Sequence, residues 1–244
     1  MPILSDNEKL ERKIISRFQK AIYDYNLICD NDKILIGISG GKDSLCLVDL
    51  ISRRLRINKP SFAAEALHIR MSNIKYESDI SYLKNFTESR GIKFNVVTTG
   101  FNAMTDKRKS PCFLCSWNRR KQLFTIAQEL GCNKIALGHH MDDIIHTTMM
   151  NLYFQGSFST MPVRLKMRKM PITIIRPLCL EEEKDIKQYA INNNYKKQIK
   201  LCPYETDSHR NDICLLFNKV EKMNNEARYS IWNALEKNGK LIEE

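Results

Sequence analysis

The segment Lys33-Ile34-Leu35-Ile36-Gly37-Ile38 is an apolar, β-branched run that ends in Ser39-Gly40-Gly41 and opens onto the helical pattern Leu45, Leu47, Val48, Leu50 and Ile51. No other feature of the chain constrains the fold as tightly. A strand without polar alternation must be buried on both faces, which places it inside a parallel sheet covered by helices. The alternation recurs, with strands predicted near 63–69, 93–98 and 134–137 and helices near 78–90, 117–130 and 142–154. The expected fold class is therefore α/β, a parallel sheet with helices on both faces and functional loops at the carboxyl ends of its strands.

Upstream, Ser5-Asp6-Asn7-Glu8 reads as a capping box, and Leu10, Ile14, Phe18 and Ile22 follow at a spacing of four, which predicts a helix over 6–27. Beyond residue 155 the pattern loosens through a basic segment containing Met and Pro, 161–177, where no strand is predicted. Helices are then expected near 181–193, 212–222 and 225–237. The chain divides on this reading into an N-terminal helix, 1–29, an α/β body, 30–178, and a helical C-terminal extension, 179–244.

Lys and Arg number 39 against 28 Asp and Glu in 244 residues, a formal charge of +11 that points to a polyanionic partner. No run of about 18 uncharged apolar residues is present, so no membrane span is expected. The start, Met1-Pro2-Ile3-Leu4-Ser5-Asp6-Asn7-Glu8, is acidic before it is apolar, the wrong order for a signal peptide, and a cytoplasmic location is expected. Eight cysteines are then expected to be reduced thiols.

Ser39-Gly40-Gly41-Lys42-Asp43-Ser44 lies between a strand and a helix. Its glycines let backbone N–H groups curl around an anion, the helix N-terminus adds partial positive charge, and Lys42 supplies a point charge, so the loop reads as a phosphate cradle. It is not a Walker A loop, because Ile36 stands six residues before Lys42 and Asp43 follows the lysine. Asp43 beside a bound triphosphate suggests a Mg²⁺ contact. Gly138-His139-His140-Met141-Asp142-Asp143 is a second strand-end segment in which Gly138 lets backbone approach a ligand and Asp143 opens a helix. Asp142 reads as an acid complementing the helix dipole, and His139 and His140 as packing residues.

Cys112-Phe113-Leu114-Cys115 precedes the helix expected at 117. A dithiol redox pair, half of a zinc site and ligands of an iron–sulfur cluster all fit that spacing. Cys202, in Leu201-Cys202-Pro203-Tyr204, lies in a loop, whereas Cys29, Cys46, Cys132, Cys179 and Cys214 sit in apolar or turn contexts and read as structural. Of the basic clusters, which include 53–56, 119–121 and 164–169, Lys107-Arg108-Lys109 is the best placed for RNA backbone contact, because it flanks the Cys pair.

Ser39-Gly40-Gly41-Lys42-Asp43-Ser44 after a strand resembles the PP-loop of the ATP pyrophosphatases, the adenine nucleotide alpha hydrolase-like enzymes that bind the triphosphate of ATP and adenylate a substrate atom. Gly138-His139-His140-Met141-Asp142-Asp143, and Arg176-Pro177-Leu178 followed by Glu183-Lys184-Asp185-Ile186, resemble two further segments of the tRNA-modifying branch. The Cys112-to-Arg120 segment with Cys202 is similar to the TtcA/TtuA tRNA 2-thiolation enzymes. That resemblance implies an ATP-dependent sulfurtransferase with tRNA as partner, ATP and Mg²⁺ at the loop, and a [4Fe–4S] cluster on Cys112, Cys115 and Cys202. It further implies ATP contacts from Ser39, Gly40, Gly41, Lys42, Asp43, Ser44, Ile69, Arg119, Gly138 and Asp143, with Asp43 and the three cysteines as the catalytic set. The body 30–178 becomes the ATP-binding catalytic domain with the Cys pair inserted, and the extension carries Cys202. An open iron would hold hydrosulfide beside the activated base; a persulfide on Cys112 or Cys202 is the alternative.

Two departures bear on the target nucleoside. Ile199 stands where the 2-thiocytidine branch carries the first cysteine of a second pair, and the zinc-finger cysteines that flank the 2-thiouridine branch are missing. A lysidine-synthetase-like ligase shares the loop without a use for the cysteines, and a cluster-bearing RNA-binding or redox module is a further alternative. The sulfur donor is not identified by the sequence; the resemblance implies a homodimer as one possible assembly, since the family often forms them, but no interface signature is present.

Overall fold

The computed structural model describes residues 4–72, 79–100, 110–196 and 209–244. In chain order its elements are α1 Asp6–Asp24, β1 Lys33–Ile38, α2 Lys42–Leu55, β2 Ala63–Met71, α3 Ile80–Glu88, β3 Lys93–Thr99, α4 Pro111–Glu129, β4 Lys134–Ala136, α5 Met141–Gln155, β5 Arg164–Lys166, β6 Thr173–Ile175, α6 Glu183–Asn192, α7 Arg210–Met223, α8 Ala227–Lys237 and β7 Ile242–Glu243. Among the described residues the strands form one sheet in the order β3-β2-β1-β4-β6-β5-β7. β3, β2, β1, β4 and β6 pair in parallel, β5 runs antiparallel to β6, and β7 lies parallel to β5.

β1 is buried on both faces, as its composition requires. Ile34, Ile36 and Ile38 enter the larger core with residues of α1, α2, α5, α6 and α8, while Leu35 enters the smaller core beneath α4. The chain leaves β1 for β2 on one side and later returns through β4 on the other. The carboxyl ends of β1 and β4 therefore flank the topological switch point, where open α/β sheets take ligands. Beneath them Lys134 is held by Asp32 Oδ2 at 2.7 Å and the Leu27 carbonyl at 2.8 Å. Both side chains are buried, and removing one partner of such a pair costs about 3–5 kcal/mol.

Three expectations need correction. α4 begins at Pro111 rather than near 117, because the Ser110 hydroxyl accepts the Phe113 N–H at 3.3 Å and proline occupies the first helical turn. Cys112 and Cys115 thus lie inside α4, not ahead of it. α1 stops at Asp24 rather than 27, where Asn26 turns to φ 51°. The segment 161–177 holds β5 and β6, three-residue strands too short to produce a readable alternation.

Candidate active site

The Ser39–Ser44 loop joins β1 to α2 at the switch point. Gly40 adopts φ 82°, a left-handed conformation that glycine enters without strain. Gly41 caps α2 without any side-chain hydrogen bond to the first amides. Those amides remain available to an anion. The loop is braced from within, since Ser44 Oγ donates to the Gly41 carbonyl at 2.9 Å and Ser39 Oγ accepts the Gly41 N–H at 3.3 Å. A Cβ at Gly138 would stand 3.0 Å from the Asp43 carbonyl carbon and 3.1 Å from Ser44 N, so the strand-end glycine is the residue that lets the loop close against β4.

Lys42 Nζ lies 3.0 Å from Asp43 Oδ1 and 2.9 Å from Glu183 Oε1 on the first turn of α6. Burial alone would lower the ammonium pKa, but these two carboxylates outweigh it and raise it. His140 sits behind, with Nε2 3.8 Å from Asp43 Oδ1 and 3.5 Å from Asp143 Oδ2, and Nδ1 3.5 Å from Asp142 Oδ2. Burial opposes protonation of its ring, yet the Asp142 contact and the charges of Asp143 and Asp43 prevail and push it up. Asp142 is far more than a dipole acid. Burial would raise its carboxyl, but His140, Arg228 and the Glu183 N–H hold it well below the usual carboxylate range.

A cavity of about 610 Å³ adjoins the loop and is bordered by Ser39, Ile69, Arg119, His139, Met161 and Arg176. That volume suits a nucleotide-sized ligand. Its walls are largely apolar, with Leu67, Leu123 and Ile174 among them. Burial, reinforced by Arg176, lowers the His139 ring to about 4, so it is neutral at physiological pH. His139 Nδ1 and Arg176 Nε are buried without a hydrogen-bond partner, leaving polar capacity at an otherwise apolar wall.

A family model of the PP-loop domain matches residues 8–213. The chain belongs to the PP-loop domain family. Similar curated proteins include a tRNA-cytidine(32) 2-sulfurtransferase 1 of Francisella tularensis subsp. novicida, 32% identical over 233 residues, covering 93% of this chain and 86% of that one. A tRNA-cytidine(32) 2-sulfurtransferase of Geobacter metallireducens is 32% identical over 236 residues, covering 94% of this chain and 91% of its own. Among solved structures, the U34-tRNA thiolase NcsA from Methanococcus maripaludis, described with its [4Fe-4S] cluster, superposes with TM-score 0.76 at 24% identity over 95% of this chain and 79% of that one.

Within this PP-loop protein, Cys112 and Cys115 lie one turn of α4 before Ser116 and Arg119, both of which border the cavity. Cys112 is exposed and Cys115 half-buried. Cys202 and Lys107-Arg108-Lys109 lie outside the described residues. The structure thus places Ser39, Ile69 and Arg119 on one cavity and joins Lys42, Asp43 and Asp143 through His140, with Gly138 against the loop. Cys46, Cys132 and Cys179 are buried, whereas Cys29 and Cys214 are partly exposed. Of the basic cluster 53–56, Arg54 is buried and donates to the Lys59 carbonyl, and Arg53 pairs with Glu11 and Asp49. His140, which the sequence reading took for a packing residue, and Arg176 and Glu183, which it placed in a family-like segment without a role of their own, are site residues that it did not single out. For all three the available signal was membership of those strand-end segments.

Proposed function

We propose that this PP-loop protein is an ATP-dependent tRNA sulfurtransferase that 2-thiolates a pyrimidine, with cytidine favoured by the curated relatives. The observation that carries the reading is the shared cavity: the phosphate loop enters it through Ser39, and the helix bearing Cys112 and Cys115 enters it through Ser116 and Arg119. Replacing a carbonyl oxygen by sulfur requires that the oxygen first become a leaving group. Adenylation does this and releases pyrophosphate; a sulfur nucleophile then attacks the same carbon and AMP departs.

The residues divide this work. The Gly40–Ser44 amides, the α2 N-terminus and Lys42 would hold the phosphates, while Ile69 and Arg119 on the adjoining cavity wall would contribute apolar surface and positive charge to the nucleotide site. Asp43 and Asp143 would hold Mg²⁺, because the two carboxylates converge on one point beside the loop, with Asp43 Oδ1 3.8 Å and Asp143 Oδ2 3.5 Å from His140 Nε2. There the ion would offset phosphate charge against two acids. Cys112 and Cys115, three residues apart on the first turn of α4, would with Cys202 hold a [4Fe–4S] cluster, which when bound would supply an iron able to carry sulfur. Lys and Arg contacts to phosphates position a splayed-out loop nucleotide. On this reading the protein acts in the cytoplasm, the compartment of its tRNA substrate.

Anaerobically purified protein is expected to be brown, and Cys112→Ala to lose both iron and thiolation; an iron-free, colourless and fully active protein refutes the cluster. Nucleoside mass spectrometry of tRNA, with and without the gene, distinguishes 2-thiocytidine from 2-thiouridine. Pyrophosphate release from ATP with bulk tRNA separates an enzyme from a redox module, which gives none.

A further inference from the structure

Arg228 lies on α8, beyond the residues 8–213 matched to the family. Its guanidinium reaches back across the molecule to place Nη1 2.7 Å from Asp142 Oδ1, with the two side chains only 9% and 12% exposed. The rest of its fork is taken by α7, since Nε donates to Glu221 Oε1 at 2.9 Å and Nη2 to Glu221 Oε2 at 3.1 Å. The guanidinium also lies 5.2 Å over the Phe217 ring. One arginine therefore ties α7 and α8 to the first turn of α5.

Asp142 transmits that fixation in two directions. Its Oδ2 accepts the Glu183 N–H at 2.8 Å, which seats the N-terminus of α6, and the Glu183 carboxylate in turn holds Lys42 Nζ at 2.9 Å. The same Oδ2 lies 3.5 Å from His140 Nδ1, and the other ring nitrogen faces Asp43 and Asp143. Rotation of the Asp142 carboxylate would release the α6 turn and the imidazole together. A buried carboxylate that loses its cation partner cannot keep its geometry without cost.

We propose that Arg228 is a positioning residue for the nucleotide site, orienting Asp142 so that Glu183 and His140 set Lys42 and the loop acids in their binding arrangement. Arg228 itself touches neither loop nor cavity. The proposal rests on the reading of Ser39–Ser44 as an ATP site.

The test is Mg²⁺·ATP titration of the full chain by calorimetry, alongside thermal unfolding, for wild type, Arg228→Met, Arg228→Lys and Glu221→Gln. Methionine keeps an unbranched apolar side chain in the buried position and removes the charge; lysine restores the charge without the fork. Arg228→Met should weaken ATP binding about tenfold or more, the scale of losing a group that orients a binding residue from behind. Arg228→Lys should return to within about threefold of wild type. A folded Arg228→Met with wild-type ATP affinity and only a lowered melting temperature overturns the proposal, because a purely structural role predicts that pattern. So does a lysine variant as impaired as the methionine variant. If Arg228→Met does not fold, Glu221→Gln decides, with weakened ATP binding expected and unchanged binding overturning the idea. Wild-type protein that binds no ATP refutes the ATP reading itself, an outcome separate from these.

Discussion

Glu181 is fully buried in the loop between β6 and α6, and neither carboxyl oxygen has a hydrogen-bond partner. Burial pushes its carboxyl from the ordinary 4.5 up to about 8, with Arg17 pulling it back and Asp185 adding to the rise. Between those two values the folded protein keeps a proton that the unfolded chain has lost. The stabilisation is therefore fully present below about pH 4.5 and disappears as pH rises through 8. Each tenfold change in proton affinity is worth about 1.4 kcal/mol, so the interval amounts to ~5 kcal/mol at most, against a total stability of roughly 5–15 kcal/mol for a domain. Urea unfolding of wild type and Glu181→Gln at pH 5, 6.5 and 8 measures it. Wild type should lose several kcal/mol relative to the glutamine variant across that range. The buried amide brings its own cost, but that cost does not vary with pH, so the diagnostic is slope rather than level. Parallel pH profiles for the two proteins would refute the assignment of a buried neutral carboxyl.

Gly138→Ala drives a Cβ into the backbone of Asp43 and Ser44, so calorimetry should show ATP binding weakened about tenfold, with about 1–3 kcal/mol lost in stability. Unchanged binding would show that the loop and β4 separate freely. Asp49 receives Arg90 Nε at 2.7 Å, Arg53 Nε at 3.2 Å and the buried Tyr189 hydroxyl at 2.5 Å. Asp49→Ala should therefore cost about 2–4 kcal/mol by urea unfolding while ATP affinity at low temperature is kept. tRNA affinity should fall by about an order of magnitude or more between 50 and 200 mM salt in filter-binding measurements, and a flat salt dependence would remove the phosphate-contact reading of the +11 charge.

Legibility in the sequence followed the range of the interactions concerned. β1, the glycine loop and the Gly138 strand end were readable because each is written within a few consecutive residues whose chemistry has one good use. β5 and β6 were not, since three residues cannot display a period and their pairing is with strands elsewhere in the sheet. The run Glu181-Glu182-Glu183 makes the point most directly, because locally it resembles any acidic approach to a helix N-terminus. In the fold its members part company: Glu181 is buried without a partner, Glu182 pairs with Arg17 at 3.2 Å, and Glu183 reaches Lys42 at 2.9 Å. The partners lie 165 and 141 residues away in the chain. Arg228 lies 86 residues from Asp142. Local pattern identifies which groups can do chemistry; the long-range ion pairs that orient them exist only once α1, α6 and α8 have closed over the same core. A substitution scan restricted to the two loop motifs would therefore miss residues on which the arrangement of Lys42, Asp43 and Asp143 depends.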